Sequence, residues 1–116
     1  MELIALLSSG KGTWGQVAGL VNRGEWDKVV LIGDSFASNF KTEKPSEFVK
    51  IDLTRPTIEV KKELIEKLKG KFEGMEVALS IASGSGKEHM AIISALIDLP
   101  VGIKFTVLTK DGIIFF

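Results

Sequence analysis

The chain has 116 residues, 45% of them hydrophobic, and its fifteen basic and fifteen acidic side chains cancel. That size suits one domain over residues 1–116, burying roughly two-thirds of the unfolded surface, and the zero net charge excludes the basic footprint of a protein that grips long nucleic acid. The absence of cysteine excludes disulfides and thiolate metal sites, and a single histidine argues against a histidine-rich metal centre.

The first seven residues carry no basic leader, and the apolar run Leu3 to Leu7 is too short for a secretion signal or a membrane span. It reads as the first strand of a cytoplasmic protein, covered on both faces. Thirteen of the basic residues are lysine and the amides are only Gln16, Asn22 and Asn39, a balance that leans toward a thermophilic source. Ser8-Ser9-Gly10-Lys11-Gly12-Thr13 breaks the strand. Trp14, Val17, Ala18 and Val21 then make one helical face, which Asn22-Arg23-Gly24 ends. Lys28 to Ile32 is a second strand closed by Gly33-Asp34-Ser35. Phe36 to Phe40 suits one helical turn, and Lys41 to Glu47 is a polar loop.

Phe48 to Leu53 alternates apolar and polar side chains, as an edge strand does. Thr54 is placed to cap a helix with Pro56 in its first turn, and Ile58, Ile65, Leu68 and Phe72 mark its core stripe among Lys and Glu of a solvated face. Val77 to Ala82 is the fourth strand. Lys87 to Leu99 is its helix, with Met90, Ile93 and Ile97 on one face and Pro100 after it. Ile103 to Leu108 and Ile113 to Phe116, joined by Thr109-Lys110-Asp111-Gly112, form a terminal hairpin. This order predicts an α/β, Rossmann-like, open and mostly parallel sheet of about six strands with a C-terminal antiparallel hairpin.

Ligands of such sheets collect beyond the carboxyl ends of the strands, where strand order reverses. If the first and fourth strands are neighbours there, Ser8 to Thr13 meets Ser83-Gly84-Ser85-Gly86-Lys87. The pair offers hydroxyls, amines and two helix N-termini to a phosphate-type ligand, although each loop alone is also an ordinary turn. Walker chemistry is excluded, because Ile81 and Glu88 stand where Gly86-Lys87 would need glycine and a hydroxyl, and Gly10-Lys11 has Ala5 and Gly12. The dinucleotide fingerprint is not completed either. Gly15 lies three past Gly12, but the second strand ends without an acidic residue, Asp34 coming just after it.

The two loops resemble those of the CARF family, the CRISPR-associated Rossmann-like domains that bind cyclic oligoadenylate. Ser8, Ser9 and Thr13 stand in the first loop. Ser83-Gly84-Ser85-Gly86-Lys87, followed by Glu88-His89-Met90 and the small residues Ala91 to Ala95, matches the second, while Ser80 stands where the family often has an acidic residue. The resemblance implies a homodimer with a cyclic oligonucleotide ligand across its two-fold axis, and no cofactor, metal, membrane or long nucleic acid. Without an effector domain, the chain would be a sensor or buffer, or a ring nuclease. In the nuclease, Lys87 neutralises the phosphorane and Ser8 or Ser9 orients the phosphate. Gly10, Lys11, Gly12, Thr13, Ser83, Gly84, Ser85 and Gly86 bind, and Asp34 and Ser35 are placed for a ribose. Arg23 and Arg55 are further clamps or plain surface charges. His89 is an acid, a base or a structural group. Trp14 belongs to the core stripe, and Trp26 packs or stacks on adenine. Two rival readings remain: an interaction subunit docking through Ile113-Ile114-Phe115-Phe116, and a mononucleotide enzyme using Asp34 and Mg²⁺.

Overall fold

An uninterrupted apolar run such as Leu3 to Leu7 has to be buried on both faces, and it is: every residue of β1, Glu2–Leu7, is buried. The computed structural model of the protein describes residues 1–8 and 13–116. After β1 come α1 (Trp14–Arg23), β2 (Lys28–Gly33), a 3-10 turn (Ser35–Asn39), β3 (Glu47–Lys50), α2 (Thr57–Leu68), β4 (Glu76–Ser80), α3 (Gly86–Asp98), β5 (Gly102–Thr109) and β6 (Gly112–Phe115). The strands form one sheet that is parallel except for the β5–β6 hairpin, as the sequence predicts, and their order is β3-β2-β1-β4-β5-β6.

Right-handed crossovers explain where the helices go. The chain first steps outward from β1 to β2 to β3, then jumps back across β1 to β4 and steps the other way. α1 therefore packs on one face, on Leu3, Ala5, Leu7, Val29 and Leu31. α2 and α3 share the opposite face, on Ile4, Leu6, Val30, Ile32, Val77 and Leu79. Successive residues of β1 alternate between these two cores, the period of a pleated strand. The reversal leaves a crevice at the carboxyl ends of β1 and β4, which pair through Glu2↔Val77 to Ala5↔Ser80.

Several local expectations need correcting. α2 starts at Thr57 with Pro56 at its cap and no side-chain cap bond, because the Thr54 hydroxyl donates to Asp52 Oδ1 at 2.6 Å. Its buried stripe is Val60, Leu64 and Leu68. Ile58 is exposed, and Phe72 lies past the end of the helix, packed against the core. On α3 the core face is Ala91, Ile92, Ala95 and Leu96, whereas Met90 and Ile97 are 66% and 60% exposed. In both helices too many positions are apolar for a single stripe to be chosen by spacing, and small alanines let α3 lie close to the sheet. β3 ends at Lys50, short of Leu53, and β4 ends at Ser80, short of Ala82.

β5 pairs with β4 only as far as Phe105. Beyond that point it pairs with β6 alone, from Thr106↔Phe115 to Thr109↔Gly112. The side-chain amide of Gln16 on α1 fills the gap: its Nε2 donates to the Leu108 carbonyl at 2.8 Å, and its Oε1 accepts from the Leu108 N–H at 2.7 Å. Both outer strands are edges. Lys67 Nζ covers the Lys50 carbonyl on β3, while Ile114, Phe115 and Phe116 at the β6 end are exposed.

Candidate functional site

The two loops singled out in the sequence do meet. The Ser8 N–H, one residue past β1, donates to Ser83 Oγ at 2.9 Å across the crevice between β1 and β4. Ser83 is 1% exposed, so its hydroxyl faces inward and ties the second loop to the first. The Ser8 carbonyl is held as well, by Trp14 Nε1 at 2.8 Å, since a partly buried indole N–H requires an acceptor. The Ser8 hydroxyl carries no hydrogen bond among the described residues. Ser9, Gly10, Lys11 and Gly12 lie outside the described residues, and Thr13 occupies the cap position of α1 without a side-chain cap bond.

On the other side of the crevice Gly84 adopts φ +102°, a conformation open to glycine. Ser85 caps α3 in a reciprocal box: its N–H donates to Glu88 Oε1 at 2.8 Å and its Oγ accepts the Glu88 N–H at 3.4 Å. The N–H groups of Gly86 and Lys87 fall in the first turn, where no intrahelical acceptor exists, and they share that end with the Lys87 ammonium. Lys87 is exposed and makes no ion pair among the described residues. His89 places Nε2 at 2.9 Å from the Ser83 carbonyl.

Asp34 and Ser35 follow β2, beside the end of β1, where Leu7 pairs with Gly33. One Asp34 oxygen caps the 3-10 turn, taking the N–H groups of Phe36 and Ala37 at 3.0 and 3.3 Å. Arg55 is ion-paired with Glu59 at 3.5 Å. Near it, Asp52 is held below its ordinary value of 3.8, chiefly by the Thr54 hydroxyl and N–H, with smaller help from Arg55 and Lys87; both cations thus sit on the same side of the molecule. Arg23 ends α1 at the opposite pole. Trp26 lies at that pole too, donating to the Leu20 carbonyl and packing edge-on to Phe115, away from the β1–β4 crevice.

Two features take their meaning only from the structure. Phe36 and Phe40 pack around Trp14 with centroids 5.7 and 5.6 Å away, making an aromatic cluster at the start of α1. Their signal was present, as two phenylalanines beside an otherwise polar segment. The second feature, the buried Ser80 hydroxyl at the end of β4, has no partner among the described residues. A carboxylate in that place would be a buried, unpaired charge, which accounts for serine there. Cavities of about 350 Å³, lined by Trp26, Val29, Lys44 and Pro45, and 450 Å³, lined by Glu2, Asp27, Glu73 and Glu76, lie at the amino ends of the strands, away from the crevice. Among the described residues no acidic or histidine cluster is placed to hold a metal ion, and no helix is long and apolar enough to cross a membrane.

No family model and no curated protein matches the sequence. Among the solved structures that share the fold are the following two. One is the crystal structure of protein VC1899 from Vibrio cholerae, at TM-score 0.66 and 13% identity over 97% of this chain and 33% of that one. The other is Csm6 of Enterococcus italicus bound to cyclic hexa-2'-fluoro-hexa-dAMP, at TM-score 0.57 and 14% identity over 95% of this chain and 34% of that one. The chain therefore spans about a third of the length of either, and the likeness shows a shared α/β, Rossmann-like fold.

Proposed function

We propose that the protein binds a cyclic oligoadenylate-type messenger at the β1–β4 crevice and opens its ring. The observation that carries this reading is the Ser8 N–H bond to Ser83 Oγ, which sets the Ser8 hydroxyl, the first turn of α3 and Lys87 around one mouth. The structural likeness to Csm6 bound to a cyclic hexanucleotide supports the ligand class. Asp34 and Ser35, which follow β2 beside the end of β1, are the groups proposed for a ribose.

The working unit of this proposal is a homodimer. α3 starts at the mouth and carries Met90 and Ile97 outward, so a two-fold axis along that helix covers both and sets two mouths side by side. In the cleavage step a ribose 2′-oxygen bonds to the adjacent phosphorus as the P–O5′ bond breaks, giving a 2′,3′-cyclic phosphate and a 5′-hydroxyl. Lys87 offsets the charge that develops on the phosphoryl oxygens, and Ser8 and Ser9 orient them.

Calorimetry with cyclic tetra- and hexa-adenylate tests the binding. One ring is expected to bind, and Lys87→Ala is expected to weaken it by at least ~10-fold, about 1.4 kcal/mol. Failure of both rings to bind overturns the reading. Chromatography of incubated ligand tests the cleavage, with linear product expected for the natural chain and slowed by about 100-fold or more in Lys87→Ala.

A further inference from the structure

Ser8 is held at both of its peptide groups, and the residue holding its N–H is held in turn. The carbonyl of Ser83 faces His89 Nε2 at 2.9 Å. A carbonyl oxygen only accepts, so Nε2 carries the proton, and in the neutral ring Nδ1 is the bare nitrogen. The His89 backbone is fixed as well: its N–H donates at 2.9 Å to the carbonyl of Ser85, the cap of α3. The imidazole thus joins the first turn of α3 to the Ser83 peptide, and the Ser83 hydroxyl joins that peptide to Ser8. Gly84 completes the corner. A β-carbon on it would stand 2.4 Å from Leu6 Cδ2 and 3.2 Å from His89 Nε2, so the ring and the end of β1 close on that glycine from two sides.

We infer that His89 is a positioning residue, which fixes the Ser83 peptide so that Ser83 Oγ holds Ser8 at a set distance from the first turn of α3 and Lys87. The inference rests on the nucleotide-binding reading above for its consequence, since a ligand phosphate has to meet groups of both loops at once. Its donor nitrogen is committed to a main-chain carbonyl, so His89 acts on the ligand through Ser83 and Ser8.

Because the chain has one histidine, its imidazole gives one set of signals, and a long-range ¹⁵N–¹H correlation on the unliganded protein reads the tautomer directly. The Nε2–H form is expected, and a predominant Nδ1–H form overturns the inference. His89→Gln retains an N–H donor at a comparable reach, whereas His89→Leu removes it. Exchange of the Ser8 amide is expected to accelerate by about 10-fold or more in His89→Leu and in Ser83→Ala, and to return to within about 3-fold of the natural chain in His89→Gln. Unchanged Ser8 exchange in His89→Leu, or equal loss in the Leu and Gln variants, overturns it. Affinity for cyclic hexa-adenylate is expected to follow the same order, falling about 10-fold in His89→Leu and recovering in His89→Gln. If the natural chain binds neither ring while the tautomer and exchange behave as stated, the functional reading fails and the loop latch stands.

Discussion

Gly84 combines a positive φ of +102° with a β-carbon position only 2.4 Å from the buried Leu6 side chain. Gly84→Ala is expected to lower unfolding stability by at least ~1–3 kcal/mol, read by chemical denaturation, because the left-handed strain and the overlap add. Gly86 has no such neighbour, so an alanine there is the matched control. Single residues also show where sequence reading stops. The Ser/Gly/Lys pattern was enough to mark Ser8, Ser83 and Lys87. It could not show that Ser83 is turned inward, since that depends on the meeting of segments 75 residues apart, or that His89 meets the Ser83 carbonyl, since that depends on how the loop folds back on the first turn of α3.

At the scale of elements, α2 separates two apolar positions that periodicity treats alike. Leu64 is 2% exposed and Ile58 57% exposed, so Leu64→Ala is expected to cost about 2–5 kcal/mol and Ile58→Ala within about 0.5 kcal/mol in the same denaturation experiment. β3 offers a pH test. Lys71, hydrogen-bonded to Glu47, holds that carboxyl below its ordinary value of 4.5, with Lys28 assisting. A lowered carboxylate pKa stabilises the fold above the unfolded value and stops doing so as pH falls through the folded one. Lys71→Met is therefore expected to destabilise by no more than ~0.5–1 kcal/mol at neutral pH, because water screens this exposed pair, and the difference should vanish in acid below the folded pKa. The central strands β1, β2 and β4 were legible because their apolar runs are continuous, whereas β3 was read from alternation and its end misplaced. The faces of α2 and α3 were less legible, because Ile58, Val60, Leu64, Ile65 and Leu68, like Met90 to Ile97, offer more apolar positions than one face can hold.

For the whole molecule, the mostly parallel sheet and its terminal hairpin were readable from the alternation of elements, whereas the strand order that makes β1 and β4 neighbours came from the structure. What no local pattern gives is the outward surface of α3. Met90→Lys combined with Ile97→Lys is expected to leave the denaturation midpoint almost unchanged, since neither side chain is in the core, while shifting the protein toward monomer in light scattering. Retained dimers in that variant would exclude the α3 face as the contact.

Gln16 gives the sheet a property that its strand list hides. One side chain does there what a neighbouring strand would do, so the upper half of the β5–β6 hairpin is fastened to α1 and its lower half to β4. The hairpin therefore straddles two bodies, and its tip follows the helix that leaves the first loop. A Gln16→Leu chain would keep its fold but lose that fastening, leaving the Leu108 N–H and carbonyl without the partner that now ties them to α1.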